Sequence, residues 1–204
     1  MRQPRQQRGA DKVTSILRAA RELLQTEDAA AVTTTSVAQR AGVPVASLYR
    51  YFDDIDDVLD VLVGEHAAAA EAAVDAALDG CTSTSVAEVL RCVLDAHLDL
   101  YATRPELTRV WFSPQLAARQ REVEVRSDRL LAARLGRHLV EVDLLEELSP
   151  ATTRRLEAHW ETAGSLLGLV LRADEPLRTV LVDDLRALVD LFAARLAADE
   201  PPER

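Results

Sequence analysis

Residues 33–52 read TTTSVAQRAGVPVASLYRYF, in which a glycine and a proline stand two positions apart between two short apolar-periodic runs. Few arrangements satisfy that punctuation. Thr33 or Thr34 can cap a first helix, its hydroxyl accepting a bond from an unsatisfied backbone N–H. Val37, Ala38 and Ala41 supply that helix with a buried side. Gly42 is a natural stop because glycine adopts positive φ without a Cβ clash. Pro44 blocks continuation, and a second helix begins near Val45. Two short helices joined by a tight glycine turn make a helix-turn-helix. In the second helix Leu48 and Phe52 fall inward, while Val45, Ala46, Ser47, Tyr49, Arg50 and Tyr51 face out.

The rest of the chain reads as helix. Aromatics are few, alanine and leucine dominate, and no apolar run shows sustained alternation, which together favour helix over strand. A first helix is expected over about 11–27, with Ile16, Ala20, Leu23 and Leu24 on one face, behind a basic arm that is mobile when free. Later helices are expected over 54–79, 85–103, 105–112, 114–142, 150–173 and 176–198, bounded by Gly80, Pro105, Pro114, Pro150 and Pro176. The expectation is an all-α chain of about nine helices: a three-helix DNA-binding domain over 1–53 and a helical-bundle domain over 54–204.

The net charge is -10. Residues 1–52 nonetheless hold eight basic side chains against four acidic ones, so the head carries +4 and the remainder -14. A basic head on an acidic body is expected where one end alone meets a polyanion. The polar start MRQPRQQRGADK has no apolar segment after it, and no apolar run reaches the roughly 20 residues that span a bilayer. The expected location is the cytoplasm. Cys81 and Cys92 read as buried thiols or, less simply, as a redox pair. His66, His97, His138 and His159 share no metal-ligand spacing, so no metal and no cofactor is expected. No Gly-rich phosphate loop, nucleophile elbow or HExxH is present, which argues against an enzyme.

The string AQRAGVPVASLYRYF closely resembles the recognition segment of the tetracycline-repressor (TetR) family, and the resemblance extends over residues 11–62. It implies that Thr34 binds phosphate, that Thr35 sits beside the major groove, that Val45, Ala46 and Ser47 face bases, and that Tyr49 and Tyr51 contact the DNA backbone. Family members commonly carry a lysine where this chain has Ile55. Arg2, Arg5, Arg8 and Arg50 are expected to supply phosphate affinity in its place.

The resemblance further implies that the body holds a small-molecule effector. The residues suited to line its site are Cys92, His97, Tyr101, Trp111, Phe112, Leu131 and Trp160, an apolar wall with few polar handles; simple core packing is the alternative. Gly164, Leu167, Gly168, Leu185, Leu188 and Phe192 are expected at a homodimer interface, since the last two helices are apolar over more than one face. A two-fold dimer suits a palindromic operator. The expected function is transcriptional repression relieved by a small, largely apolar ligand. The alternatives are activation, or an adaptor with a vestigial helix-turn-helix.

Overall fold

The structure, a computed structural model, describes residues 5–26, 31–104 and 117–198. Among these it contains eight helices and no strand: α1 (Arg5–Thr26), α2 (Thr34–Ala41), α3 (Val45–Leu48), α4 (Ile55–Gly80), α5 (Val86–Thr103), α6 (Ala117–Glu141), α7 (Pro150–Arg172) and α8 (Leu177–Ala198). The helix expected over 105–112 lies outside the described residues.

Two compact units result, one of Met1–Ala67 with Arg104–Val123, the other of Ala68–Thr103 with Glu124–Arg204. The division therefore falls inside α4 rather than near residue 53. The cause is burial: Val58, Leu59, Leu62 and Val63 on the first turns of α4 join Ile16, Leu24, Val37, Leu48 and Phe52 in one core. The first turns of α4 cannot leave that core without exposing four apolar side chains, which at about 1.5–3 kcal/mol each would unfold the unit.

Helix α1 begins at Arg5, so residues 5–10 of the arm expected ahead of Asp11 are instead part of the helix. Arginine and glutamine are good helix formers, and the roughly 1 kcal/mol cost of Gly9 does not interrupt a run so favoured. On its far side α1 is tied to α4 by an ion pair between Arg21 and Glu65.

The cap expected at Thr33 or Thr34 is made by Thr33. Its hydroxyl accepts the Ser36 N–H at 3.1 Å, and the Ser36 hydroxyl accepts the Thr33 N–H at 2.9 Å. Gly42 closes α2 at φ 69°, and the Val43 N–H reaches the Ala38 carbonyl at 3.0 Å. The four aspartates around the start of α4 have a similar local use. Asp54 accepts the Asp57 N–H at 3.1 Å, and the Asp57 carboxylate accepts the Asp53 N–H at 2.7 Å. Carboxylates at a helix start also complement its dipole.

In the second unit α5 and α7 both pack on α8. Val89, Val93, Leu135, Leu139, Leu156, Leu185 and Leu196 form the centre of its core. Arg134 of α6 forks to Glu71 at 3.1 Å and Asp75 at 2.9 Å on the later turns of α4.

Candidate functional site

The surface of the first unit is set by what is buried beneath it. Leu48 is fully buried and Phe52 nearly so, which anchors α3 and the turn after it. The side chains between those anchors must point away. Tyr49, Arg50 and Tyr51 are exposed, Ala46 is exposed, and Val45 and Ser47 are half-buried. Arg50 has no carboxylate partner among the described residues, whereas Arg18 and Arg40 both lie near Glu22, at 3.8 and 3.7 Å.

Two contacts order this surface. The Tyr49 hydroxyl lies 3.3 Å from Thr34 Oγ1, so the end of α3 meets the start of α2. The Tyr51 ring lies over Gly9, where an added Cβ would sit 3.6 Å from the Tyr51 hydroxyl. Thr35 stands exposed beside Thr34. Of the residues singled out from the sequence, Thr34, Thr35, Val45, Ala46, Ser47, Tyr49, Arg50 and Tyr51 thus fall on the helix-turn-helix. Arg5 and Arg8 belong to the first turns of α1, and Arg2 lies outside the described residues. Ile55 packs against the core of this unit, so its side chain has a structural use where a lysine would face outward.

The second unit contains a cavity of about 90 Å³ between α5, α6, α7 and α8. Its wall is apolar except for His97 and His159. His97 Nδ1–H donates to the Val93 carbonyl at 3.1 Å, and the ring meets Trp160 edge-on with centroids 5.3 Å apart. His159 Nδ1–H donates to the Arg155 carbonyl at 2.7 Å, and its ring stacks on Phe192 at 3.5 Å. In both rings Nδ1–H is committed to a backbone carbonyl, so Nε2 is the nitrogen left for a further hydrogen bond. Burial holds the His97 imidazole below its ordinary pKa, partly offset by the Val93 carbonyl.

The cavity brings together a different set from the one expected. His97 and Trp160 line it. Cys92 instead faces Cys81, with the two sulfurs 3.2 Å apart. Tyr101 and Leu131 are buried in the core but are not part of the lining. Trp111 and Phe112 lie outside the described residues. His159, Leu135 and Val189 contribute to the wall, and nothing in the sequence distinguished them from ordinary packing residues.

The residues expected at a dimer interface are mostly turned inward. Gly164, Leu167, Leu188 and Phe192 line the cavity, Leu185 is fully buried and Gly168 is buried. Of this set Gly164 alone is exposed, and a Cβ added there would meet nothing within 4 Å, so no helix of the same chain approaches it closely. The apolar side chains left exposed on these helices are Leu169 at 50%, Leu177 at 55%, Val180 at 53% and Leu191 at 59%. Helix α8 is apolar on two faces because one closes the cavity and the other faces out.

Among the described residues no group of histidine, cysteine and carboxylate side chains is placed to hold a metal, and no helix is long and apolar enough to cross a membrane.

Residues 16–62 match the family model described as bacterial regulatory proteins, tetR family. Residues 84–195 match the model described as tetracyclin repressor-like, C-terminal domain. A TetR-family transcriptional regulator from Streptomyces coelicolor aligns over 91% of this chain and 99% of its own, at 25% identity and a TM-score of 0.65. A transcriptional regulator from Cytophaga hutchinsonii aligns over 90% of this chain and 97% of its own, at 14% identity and a TM-score of 0.70. The fatty acid degradation regulator FadR from Bacillus halodurans aligns over 95% of this chain and 97% of its own, at 21% identity and a TM-score of 0.64. No curated protein matches the chain.

Proposed function

The chain belongs to the TetR family of DNA-binding transcriptional regulators, and from that premise we propose that it is a repressor released from a palindromic operator by a small, largely apolar ligand. The observation that carries the DNA-binding half is the exposed row Tyr49, Arg50 and Tyr51 beside half-buried Ser47, held in place by buried Leu48 and Phe52. Hydroxyls and a guanidinium at the end of a recognition helix suit phosphate oxygens, which fix register. Thr34, Thr35, Arg5 and Arg8 extend that contact, and Val45, Ala46 and Ser47 read base edges in the major groove. The DNA-binding domain then lies within residues 1–67, and the sensing domain is built from residues 68–103 and 124–204.

The cavity supports the ligand half. Its chemistry suits a molecule with an apolar body and one or two hydrogen-bond donors for the imidazoles. Its size matters more. Drug-sized ligands occupy pockets of about 300–1,000 Å³, several times the 90 Å³ present. An effector of ordinary size therefore binds only after α5, α7 and α8 part. That requirement gives the ligand a differential affinity for two conformations, without which it could shift no equilibrium.

Members of the family form dimers. For this chain we place the two-fold contact on the outward strip of α7 and α8 that carries Leu169, Val180 and Leu191.

The test is a mobility-shift titration of the full chain against the DNA immediately upstream of its own gene, at two salt concentrations, with footprinting. Saturable binding with two protected half-sites about 34–36 Å apart, or a multiple of that, is expected. Binding that depends on salt alone and protects no particular sequence would leave the adaptor reading in its place.

A further inference from the structure

Neither the DNA-facing row nor the cavity uses the two cysteines. Cys81 immediately follows α4, and Cys92 stands on α5. Their sulfurs lie 3.2 Å apart, with the Cys81 thiol donating to Cys92. Both are free and both are half-exposed. They share a solvent-open recess with Ser83, Glu88, Arg91 and Asp95. Two thiols buried as small apolar side chains would be inert. Two thiols in contact at a wet, polar surface are poised to react with each other.

We propose that Cys81 and Cys92 form a peroxide-oxidisable dithiol that closes a reversible disulfide between the end of α4 and α5. The sulfurs need approach only to about 2.05 Å, and the loop that bears Cys81 has no helix to unwind. The Cys92 thiol is held above its ordinary range by its contact with Cys81, by burial, and by the Asp95 and Glu88 carboxylates. One of the two thiolates attacks one peroxide oxygen, the O–O bond breaks, and hydroxide leaves to be protonated, giving a sulfenic acid and water. The thiolate of the other cysteine then attacks that sulfur, the S–O bond breaks, and a second hydroxide departs as water. Two thiols and one hydrogen peroxide become one disulfide and two waters.

The consequence is mechanical. Helix α4 begins just after the helix-turn-helix and ends beside Cys81. The bond would pin its far end to α5.

The experiment treats the purified full chain with a small excess of hydrogen peroxide, alkylates remaining thiols, and measures intact mass. A chain lighter by about 2 Da that takes up no alkylating agent, and recovers two alkylation sites after dithiothreitol, is expected. Peroxide-treated chain that still alkylates twice, gains oxygen separately at each cysteine, or links to a second chain would overturn the proposal. In the Cys92→Ser and Cys81→Ser chains a 1,3-dione should trap a sulfenic acid on the remaining cysteine, and no trapping in either chain would overturn the proposal.

Discussion

The Tyr49 hydroxyl and Thr34 Oγ1 lie 3.3 Å apart, joining the end of one short helix to the start of the other across the surface proposed to meet DNA. A phosphate oxygen at that junction would meet two hydroxyls at once. Tyr49→Phe removes one of them and keeps the ring. A hydrogen bond to a charged group contributes about 1.5–3 kcal/mol, so operator affinity should fall about tenfold or more. The thermal midpoint should stay within a few degrees, because Tyr49 is 52% exposed. Unchanged affinity in a mobility-shift titration would remove Tyr49 from the contact set.

Removing the basic arm by starting the chain at Gly9 would also delete the first turn of α1, which begins at Arg5. Substitution is the cleaner test. Arg5→Gln with Arg8→Gln preserves helix propensity while removing two charges. If both arginines of each protomer neutralise phosphates, the slope of log affinity of the dimer against log salt should decrease by about 3.6. An unaltered slope would mean that neither arginine reaches the backbone.

Gly42 occupies the left-handed region at φ 69°, and an added Cβ would find nothing within 4 Å. The cost of Gly42→Ala is therefore purely one of backbone conformation, about 1–2 kcal/mol. Asparagine tolerates that region better than alanine, so Gly42→Asn should lose less stability in urea unfolding. If alanine and asparagine proved equally costly, crowding and not φ would be the cause.

Burial lowers the His97 pKa, so between the folded value and the unfolded value of about 6.5 the unfolded chain binds more protons. The contribution is complete above the unfolded value and is lost as pH falls through the folded one. Urea midpoints measured at about pH 8 and about pH 5 should therefore fall further for the native chain than for His97→Gln. Parallel losses in the two chains would show that His97 titrates alike in both states.

Leu191 and Leu185 lie on the same helix, one 59% exposed and the other fully buried. Leu191→Glu should leave the fold intact and convert a dimer to a monomer in sedimentation at micromolar concentration. Leu185→Glu should unfold the body, since an unpaired carboxylate in an apolar core costs several kcal/mol. A folded Leu191→Glu dimer would move the interface elsewhere.

Much of the first unit was legible in the sequence because its determinants are local. A threonine cap at Thr33, a left-handed stop at Gly42, a ring at Pro44 that forbids continuation, and the spacing of Leu48 and Phe52 act over one or two turns. They select the helix ends and decide which side chains of 45–51 face out. Helix ends in the body were readable for the same reason, with Ser149 capping α7 ahead of Pro150.

What lies on the other side of an apolar stripe was not legible. Periodicity gives the angular position of a side chain about its own helix axis, but not which neighbour fills that direction. Leu185 and Phe192 read as a partner interface, and only the packing of α5 and α7 on α8 turns them inward. The same limit hid the stacking of His159 on Phe192 and the seat of Tyr51 over Gly9. The sequence by itself determined where most of the described helices start, stop and turn their apolar faces, the start of α1 excepted; tertiary structure decided what each face meets, because contact depends on crossing geometry between helices distant in sequence.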